Sequence, residues 1–211
     1  MTRGAAGSDA RLDYADGAGV AWSRRPPDLA AHELLGDTDA MPVDTTALLE
    51  TERLALLAAV DRVAPADRDR RPGPGQWSVA EILEHLAKVE QAVAALIATR
   101  GREPLPAMEP PVPEASERVA GLRVRERRID APDALRPSGA LSADEALAAL
   151  AASRRTLLDA ARAADPAALE HRTYYHAVLG RLTLRDWLAF VAHHEARHAA
   201  QVDEVAAALR P

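Results

Sequence analysis

The chain has 211 residues, no cysteine, and a net charge of −6 with histidine counted as neutral. This length allows one domain with a substantial core, and the lack of cysteine excludes disulfides, thiolate metal ligands and a cysteine nucleophile. The acidic balance, with no basic block free of acidic neighbours, argues against a nucleic-acid partner.

The N-terminal part of the chain differs in composition from the rest. Residues 1–40 are polar and glycine-rich and lack sustained hydrophobic periodicity, which predicts a mobile extension ahead of one domain over residues 41–211. The first residues have no apolar segment of the kind found in secretory signals. No stretch approaches the length of a transmembrane helix. We therefore expect a cytoplasmic protein without a membrane partner.

The first two predicted helices have clear boundaries. The first runs over about 45–63, behind Asp44. The second follows the breaker cluster at 72–77 and begins at Ser78, where Glu81 completes a capping box. Apolar residues recur at helical spacing in the second helix; they are Val79, Ile82, Leu86, Val89, Val93 and Leu96.

The second half of the chain predicts two more helices. A proline-rich link covers 100–141, and a capping box at Ser142 then opens a helix that runs to about 163. Residues 165–182 are interpreted as a loop, and Thr183 caps a fourth helix that runs nearly to the end. Short links join helix one to helix two and helix three to helix four, and the long link joins helix two to helix three. This arrangement predicts an all-α four-helix bundle in up-down-down-up order.

Histidines cluster on the fourth helix. At about 100° per residue, His194 and His198 lie on the apolar face one turn apart, Glu195 lies on the opposite flank of that face, and His193 points to water. On the second helix, His85 lies at the edge of the apolar stripe. Three inward histidines from two helices would form a three-histidine metal site with an open position. The alternatives are a polar histidine pair on the fourth helix and a core histidine on the second.

The stretch His194–His198 also reads as H-E-x-x-H, the zinc-protease signature. A third zinc ligand must follow such a motif, but the spacings that would supply glycine and histidine hold Gln201 and Glu204. Peptidases of this kind bind substrate along a strand edge, and the sequence shows no convincing strand. The zinc-protease interpretation is therefore disfavoured.

Three segments together resemble the DinB/YfiT-like superfamily. They are "GQWSVAEILEHLAKVE", "RRIDAPDALRPSGALSADEALAAL" and "HAVLGRLTLRDWLAFVAHHEARHAAQV", in order over roughly residues 45–210. The resemblance implies an up-down-down-up bundle that binds a divalent metal ion (Zn, Ni, Fe or Mn) through His85, His194 and His198. It also suggests a homodimer. Some members of the superfamily are bacillithiol S-transferases, and others are mycothiol-dependent enzymes.

The resemblance, together with the three-histidine pattern, implies a metal-dependent transferase of the thiol S-transferase type, or a hydrolase, acting on a small molecule with or without a low-molecular-weight thiol cosubstrate. Such a metal lowers the pKa of bound water or of a thiol. Glu195 is the candidate catalytic base, although a charged residue at the rim of the apolar stripe fits equally. His176 is placed at the mouth of the site, and Gln201 is interpreted as structural. The alternative function is a non-catalytic metal-bearing protein of stress response or binding.

Overall fold

The computed structural model describes residues 45–105, 115–125 and 129–210, and the predicted extension over residues 1–40 lies outside them. The described helices are α1 (Thr45–Asp61), α2 (Val79–Arg100), α3 (Ser116–Ala120), α4 (Ala143–Ala163), α5 (Pro166–His171) and α6 (Leu184–Leu209). Strands β1 (Thr173–His176) and β2 (Gly180–Thr183) form an antiparallel hairpin. No helix among the described residues is both long enough and apolar enough to cross a membrane.

The capping boxes set the start of three long helices. The Ser78 hydroxyl accepts a hydrogen bond from the Glu81 amide (3.2 Å), and the Glu81 carboxylate accepts one from the Ser78 amide (2.9 Å). The same reciprocal pair opens α4 at Ser142 and α6 at Thr183. Because these bonds satisfy amides that the first helical turn leaves unpaired, they fix where each helix begins and hence which residues face inward.

Contacts between α1 and α6 show that these two helices run in the same direction. Near the middle of α1, Arg53 donates to Glu195 (2.6 Å), and near its end Arg62 donates to Asp203 (2.6 Å). Residue numbers therefore rise together along both helices.

Helices α2 and α4 also run in the same direction. Ser153 in the middle of α4 donates to Glu90 in the middle of α2, and the Gly101 carbonyl that follows α2 accepts from the amide of Asp165, just past α4 (2.9 Å). The short link after α1 turns the chain back into α2, so the order is up-down-down-up. The predicted four-helix bundle is confirmed.

The core has two apolar layers. One gathers the start of α1 and α6 with the end of α2 and α4, around Trp187, Ile97 and Leu157. The other gathers the opposite ends of these helices, around Leu56 and Ile82. On α6 the buried polar residues Glu195, Arg197 and His198 fall between the two layers, and on α2 the buried His85 lies among residues of the second layer. The candidate site is built around His85 and His198.

The prediction of a loop over residues 165–182 is wrong. Asp165 caps the short helix α5 by accepting from the Ala167 amide (2.8 Å), and the hairpin β1–β2 follows. The hairpin loop spans three residues and ends at Gly180, whose φ of +77° is the left-handed conformation that such loops require. Strands of four residues are too short for a clear alternating pattern, which is why the sequence did not reveal them.

Candidate metal centre

Three histidines meet at the inner faces of α2 and α6, and we call them the histidine cluster. One ring nitrogen from each of His85, His194 and His198 lies within 4.8 Å of the other two. The Nε2 atoms of His194 and His198 are 3.1 Å apart. The His85 ring centroid lies 5.2 and 5.0 Å from those of His194 and His198. The residues that the helical wheel placed inward are thus brought together.

Hydrogen bonds assign the tautomer of two of these rings. His85 Nδ1–H donates to the carbonyl oxygen of Leu135 (2.7 Å), and His198 Nδ1–H donates to the side-chain oxygen of Gln201 (2.8 Å). Since both oxygens can only accept, each ring carries its proton on Nδ1 and its lone pair on Nε2. A histidine that binds a metal is usually held in this way by an acceptor behind the ring. Gln201, interpreted from sequence as structural, positions His198.

Burial makes the three imidazoles neutral at pH 7. It lowers the pKa of His85, and it lowers the pKa values of His194 and His198 well below 6.5, with further lowering by the neighbouring histidines. Metal ions bind the neutral form of imidazole. The cluster therefore presents nitrogen ligands in the protonation state that a divalent ion requires.

The histidine cluster lines a cavity of about 770 Å³, a volume within the range of small-molecule sites. The lining combines apolar side chains with charged ones. Apolar lining residues include Val89, Val93, Leu122, Trp187 and Phe190, and charged ones include Arg125, Asp130, Arg136, Arg197 and Glu204. Trp77 is partly exposed at this cavity, and its ring centroid is 5.0 Å from that of His85.

Glu195 belongs to a different group, which we call the ion-pair cluster. Its carboxylate lies 2.6 Å from Arg53 and 2.9 Å from Arg154, and both arginines also pair with Glu90. Burial raises the pKa of Glu195, and the two positive charges oppose that rise. Glu195 does not line the cavity as the histidines do. Its carboxylate is an ion-pair partner, and its part in chemistry stays a prediction.

The other histidines near the site have separate surroundings. His193 lies partly exposed on another side of α6, where its Nδ1 accepts from Arg123 (2.7 Å). His176 ends β1, is buried, and lines the cavity. The role of the Leu135 carbonyl carries no sequence signal, because every residue has one. Gln201, by contrast, follows His198 by three residues, so it lies on the same side of α6, and this spacing was a local sequence signal for its hydrogen bond to His198.

Comparison with known proteins agrees with this architecture. A family model described as the DinB superfamily matches residues 48–202. YuaE, an uncharacterized protein of Bacillus subtilis (strain 168), is 29% identical over 139 residues, which cover 65% of this chain and 82% of that protein. The crystal structure of TT2238, described as a four-helix bundle protein, matches with a TM-score of 0.50 and 26% identity, covering 76% of this chain and 97% of that one. The chain belongs to the DinB superfamily.

Proposed function

We propose that this protein is a divalent-metal enzyme that acts on a small molecule, as a thiol transferase or a hydrolase, with His85, His194 and His198 as its metal ligands. The observation that carries the proposal is the convergence of three neutral imidazoles at the wall of a 770 Å³ cavity. The donor set fits the group, because imidazole nitrogen suits zinc, iron and nickel. When bound, such an ion acts as a Lewis acid and lowers the pKa of water or of a thiol.

The residues around the histidine cluster support this function through orientation and exclusion of water. The Leu135 carbonyl accepts from the Nδ1–H of His85, and Gln201 accepts from the Nδ1–H of His198. Each of these rings is thus held with its Nε2 on the side away from the acceptor. The apolar side chains of the lining, which include Phe190, lower the local dielectric, which strengthens electrostatic interactions inside the cavity. Because the chain has no cysteine, any thiol in the reaction is a cosubstrate that enters from outside.

The test is metal analysis of the purified full chain, followed by a screen of low-molecular-weight thiols with electrophilic substrates. We expect one divalent ion per chain and turnover that His198→Ala abolishes and His193→Ala retains. A chain that takes up no divalent ion contradicts the proposal. A chain that binds the ion without turnover in any thiol or hydrolysis assay would instead favour the non-catalytic metal-bearing protein. The homodimer and the cytoplasmic location stay predictions, and sedimentation tests the first.

A further inference from the structure

Glu84 directly precedes His85 on α2, and its buried carboxylate binds the link that leads into α4. The side chain is 4% exposed, and it accepts hydrogen bonds from the backbone amides of Ser138 (2.8 Å) and Gly139 (3.2 Å). Lys88, one turn further along α2, forms an ion pair with the same carboxylate (2.8 Å). Since a buried carboxylate is costly unless it is paired, Glu84 and the two amides hold each other in place.

The same link carries the acceptor behind His85. The Leu135 carbonyl, at the end of a 3-10 turn (Asp133–Leu135), accepts from the Nδ1–H of His85 (2.7 Å). The next carbonyl along the chain, that of Arg136, accepts from the Nζ of Lys88 (2.7 Å). Residues 135–139 are therefore tied to α2 at four backbone groups, which are two carbonyls and two amides.

One side of α2 makes all of these contacts. At about 100° per residue, Glu84, Lys88 and His85 fall within a sector of about 100°, so the link is held on the side where His85 meets it. The Leu135 side chain is also buried, in the apolar layer around Trp187. That packing fixes where Leu135 lies. The direction of its carbonyl depends also on the backbone that follows, and this is the backbone that Lys88 and Glu84 hold.

We propose that Glu84 is a positioning residue of the proposed metal centre. By holding the link, it keeps the Leu135 carbonyl behind His85, so that Nδ1 is protonated and the lone pair of Nε2 is available to a metal ion. This rests on the proposed function, which makes His85 a metal ligand. Lys88 acts with Glu84 by holding the next carbonyl. Without the acceptor, a neutral imidazole exchanges between two tautomers, and in one of them Nε2 carries a proton and cannot bind a metal.

Zinc affinity of the full chain tests the proposal in Glu84→Gln, by competition with a chromophoric chelator. Glutamine has nearly the shape of glutamate, but its amide nitrogen cannot accept from a backbone amide, so one of the two bonds to the link is lost. The matched control is Glu81→Gln. Glu81 is also a buried carboxylate of α2, but its hydrogen bonds come from Arg71 and Ser78 and not from residues 135–139.

We expect Glu84→Gln to bind zinc about ten-fold more weakly at unchanged stoichiometry, the lower end of the loss seen when a partner of a metal ligand is removed. Glu81→Gln should keep the wild-type affinity. Urea unfolding of the zinc-free proteins shows how much stability each variant loses. Equal zinc affinities in the two variants would mean that Glu84 contributes only to stability, and the inference is then overturned.

Nitrogen-15 spectra of the histidine rings, recorded without zinc, separate this inference from the proposed function. We expect the Nδ1–H tautomer of His85 in the wild type and in Glu81→Gln, and a mixture of both tautomers in Glu84→Gln. An unchanged tautomer in Glu84→Gln overturns the inference even if zinc binds. Failure of the wild type to take up zinc overturns the proposed function, while the spectra still decide whether Glu84 orients His85.

Lys88 offers a second pair of variants at a side chain that is 33% exposed, where substitution disturbs folding less. Lys88→Met removes the donor to the Arg136 carbonyl, so it should weaken zinc binding and mix the tautomers of His85 in the same sense as Glu84→Gln. Lys88→Arg keeps a donor and should stay closer to the wild type. If Glu84→Gln does not fold, this pair decides the question, and wild-type affinity and tautomer in Lys88→Met then overturn the inference.

Discussion

Two buried polar clusters lie in the middle of this bundle, and they differ in how their charges are satisfied. The ion-pair cluster contains two guanidinium groups and two carboxylates, contributed by α1, α2, α4 and α6. The histidine cluster contains three imidazoles, contributed by α2 and α6. The members of the first are Arg53, Glu90, Arg154 and Glu195, and those of the second are His85, His194 and His198.

The comparison shows that burial alone does not identify a ligand site. Opposite charges in the ion-pair cluster balance, so the chain itself supplies the countercharges, although Arg154 Nη2 and Glu195 Oε2 have no hydrogen-bond partner among the described residues. The imidazoles of the histidine cluster are neutral. In His85 and His198, Nδ1–H donates to a protein oxygen, so the lone pair is on Nε2, on the other side of the ring. A cation complements lone pairs that converge in this way, and so does a hydrogen bond between rings such as that between the Nε2 atoms of His194 and His198 (3.1 Å). His194 and Glu195 are adjacent in sequence but belong to different clusters, because successive side chains of a helix point about 100° apart around its axis.

The largest predicted effect comes from unbalancing the ion-pair cluster. Glu90 is 1% exposed and accepts from Arg53, Ser153 and Arg154. Glu90→Ala leaves two buried guanidinium groups with one carboxylate, so we expect a loss of about 3–5 kcal/mol in the free energy of unfolding, measured with urea.

Glu50→Ala, on an exposed position of α1, is the matched control and should change stability by less than about 0.5 kcal/mol. The zinc content per folded chain of Glu90→Ala should equal that of the wild type, because the ion-pair cluster contains none of the proposed zinc ligands. A loss as small as that of the control would show that the ion-pair cluster contributes little.

Removing one of the proposed metal ligands should have the next largest effect, and only when zinc is present. At a zinc concentration 100 times its dissociation constant, the wild type should gain about 2.7 kcal/mol from binding. His198→Ala should lose this gain, while His193→Ala, altered on a side of α6 that contacts Arg123, should keep it. Thermal unfolding with and without zinc measures the gain. The opposite pattern would mean that the register of α6 is wrong.

The histidine cluster was more predictable than the ion-pair cluster, for a physical reason. Capping bonds such as that of Ser78 are local, so they reveal where a helix begins, and helical periodicity then places His194 and His198 on one face. The partners of Glu195 come from α1 and α4, far along the chain, and no local pattern announces them. A helical wheel predicts which way each side chain of one helix points, but it does not predict which side chains of the neighbouring helices it will contact.

Removing the acceptor behind a proposed ligand should have a smaller effect than removing the proposed ligand itself. Gln201→Leu removes the oxygen that holds the Nδ1–H of His198, so we expect zinc affinity to fall about 10–100-fold with unchanged stoichiometry. Competition with a chromophoric chelator measures the affinity. Gln201→Glu keeps an acceptor oxygen and should retain affinity. Equal losses in the two variants would mean that Gln201 acts through packing, not through the hydrogen bond.

The smallest predicted effect concerns Glu81, a carboxylate outside both clusters. Burial alone raises the pKa of Glu81, but hydrogen bonds from Arg71 and from the Ser78 amide outweigh it and lower the pKa below 4.5. The folded state therefore binds this proton less readily than the unfolded state does. The stabilisation is complete above pH 4.5 and is lost as the pH falls through the lower folded pKa.

Glu81→Gln should therefore be less stable than the wild type by about 1 kcal/mol near neutral pH, the size of a helix-cap contribution. The difference should shrink as the pH falls below 4.5, because the wild-type carboxylate becomes protonated and loses its ion pair with Arg71. Urea unfolding at a series of pH values measures the difference, with the exposed Glu50→Gln as control. A difference that stays constant through the acid range would show that shape, not charge, makes Glu81 a good cap. Zinc affinity at neutral pH should be the same in both proteins, since neither cluster includes this residue.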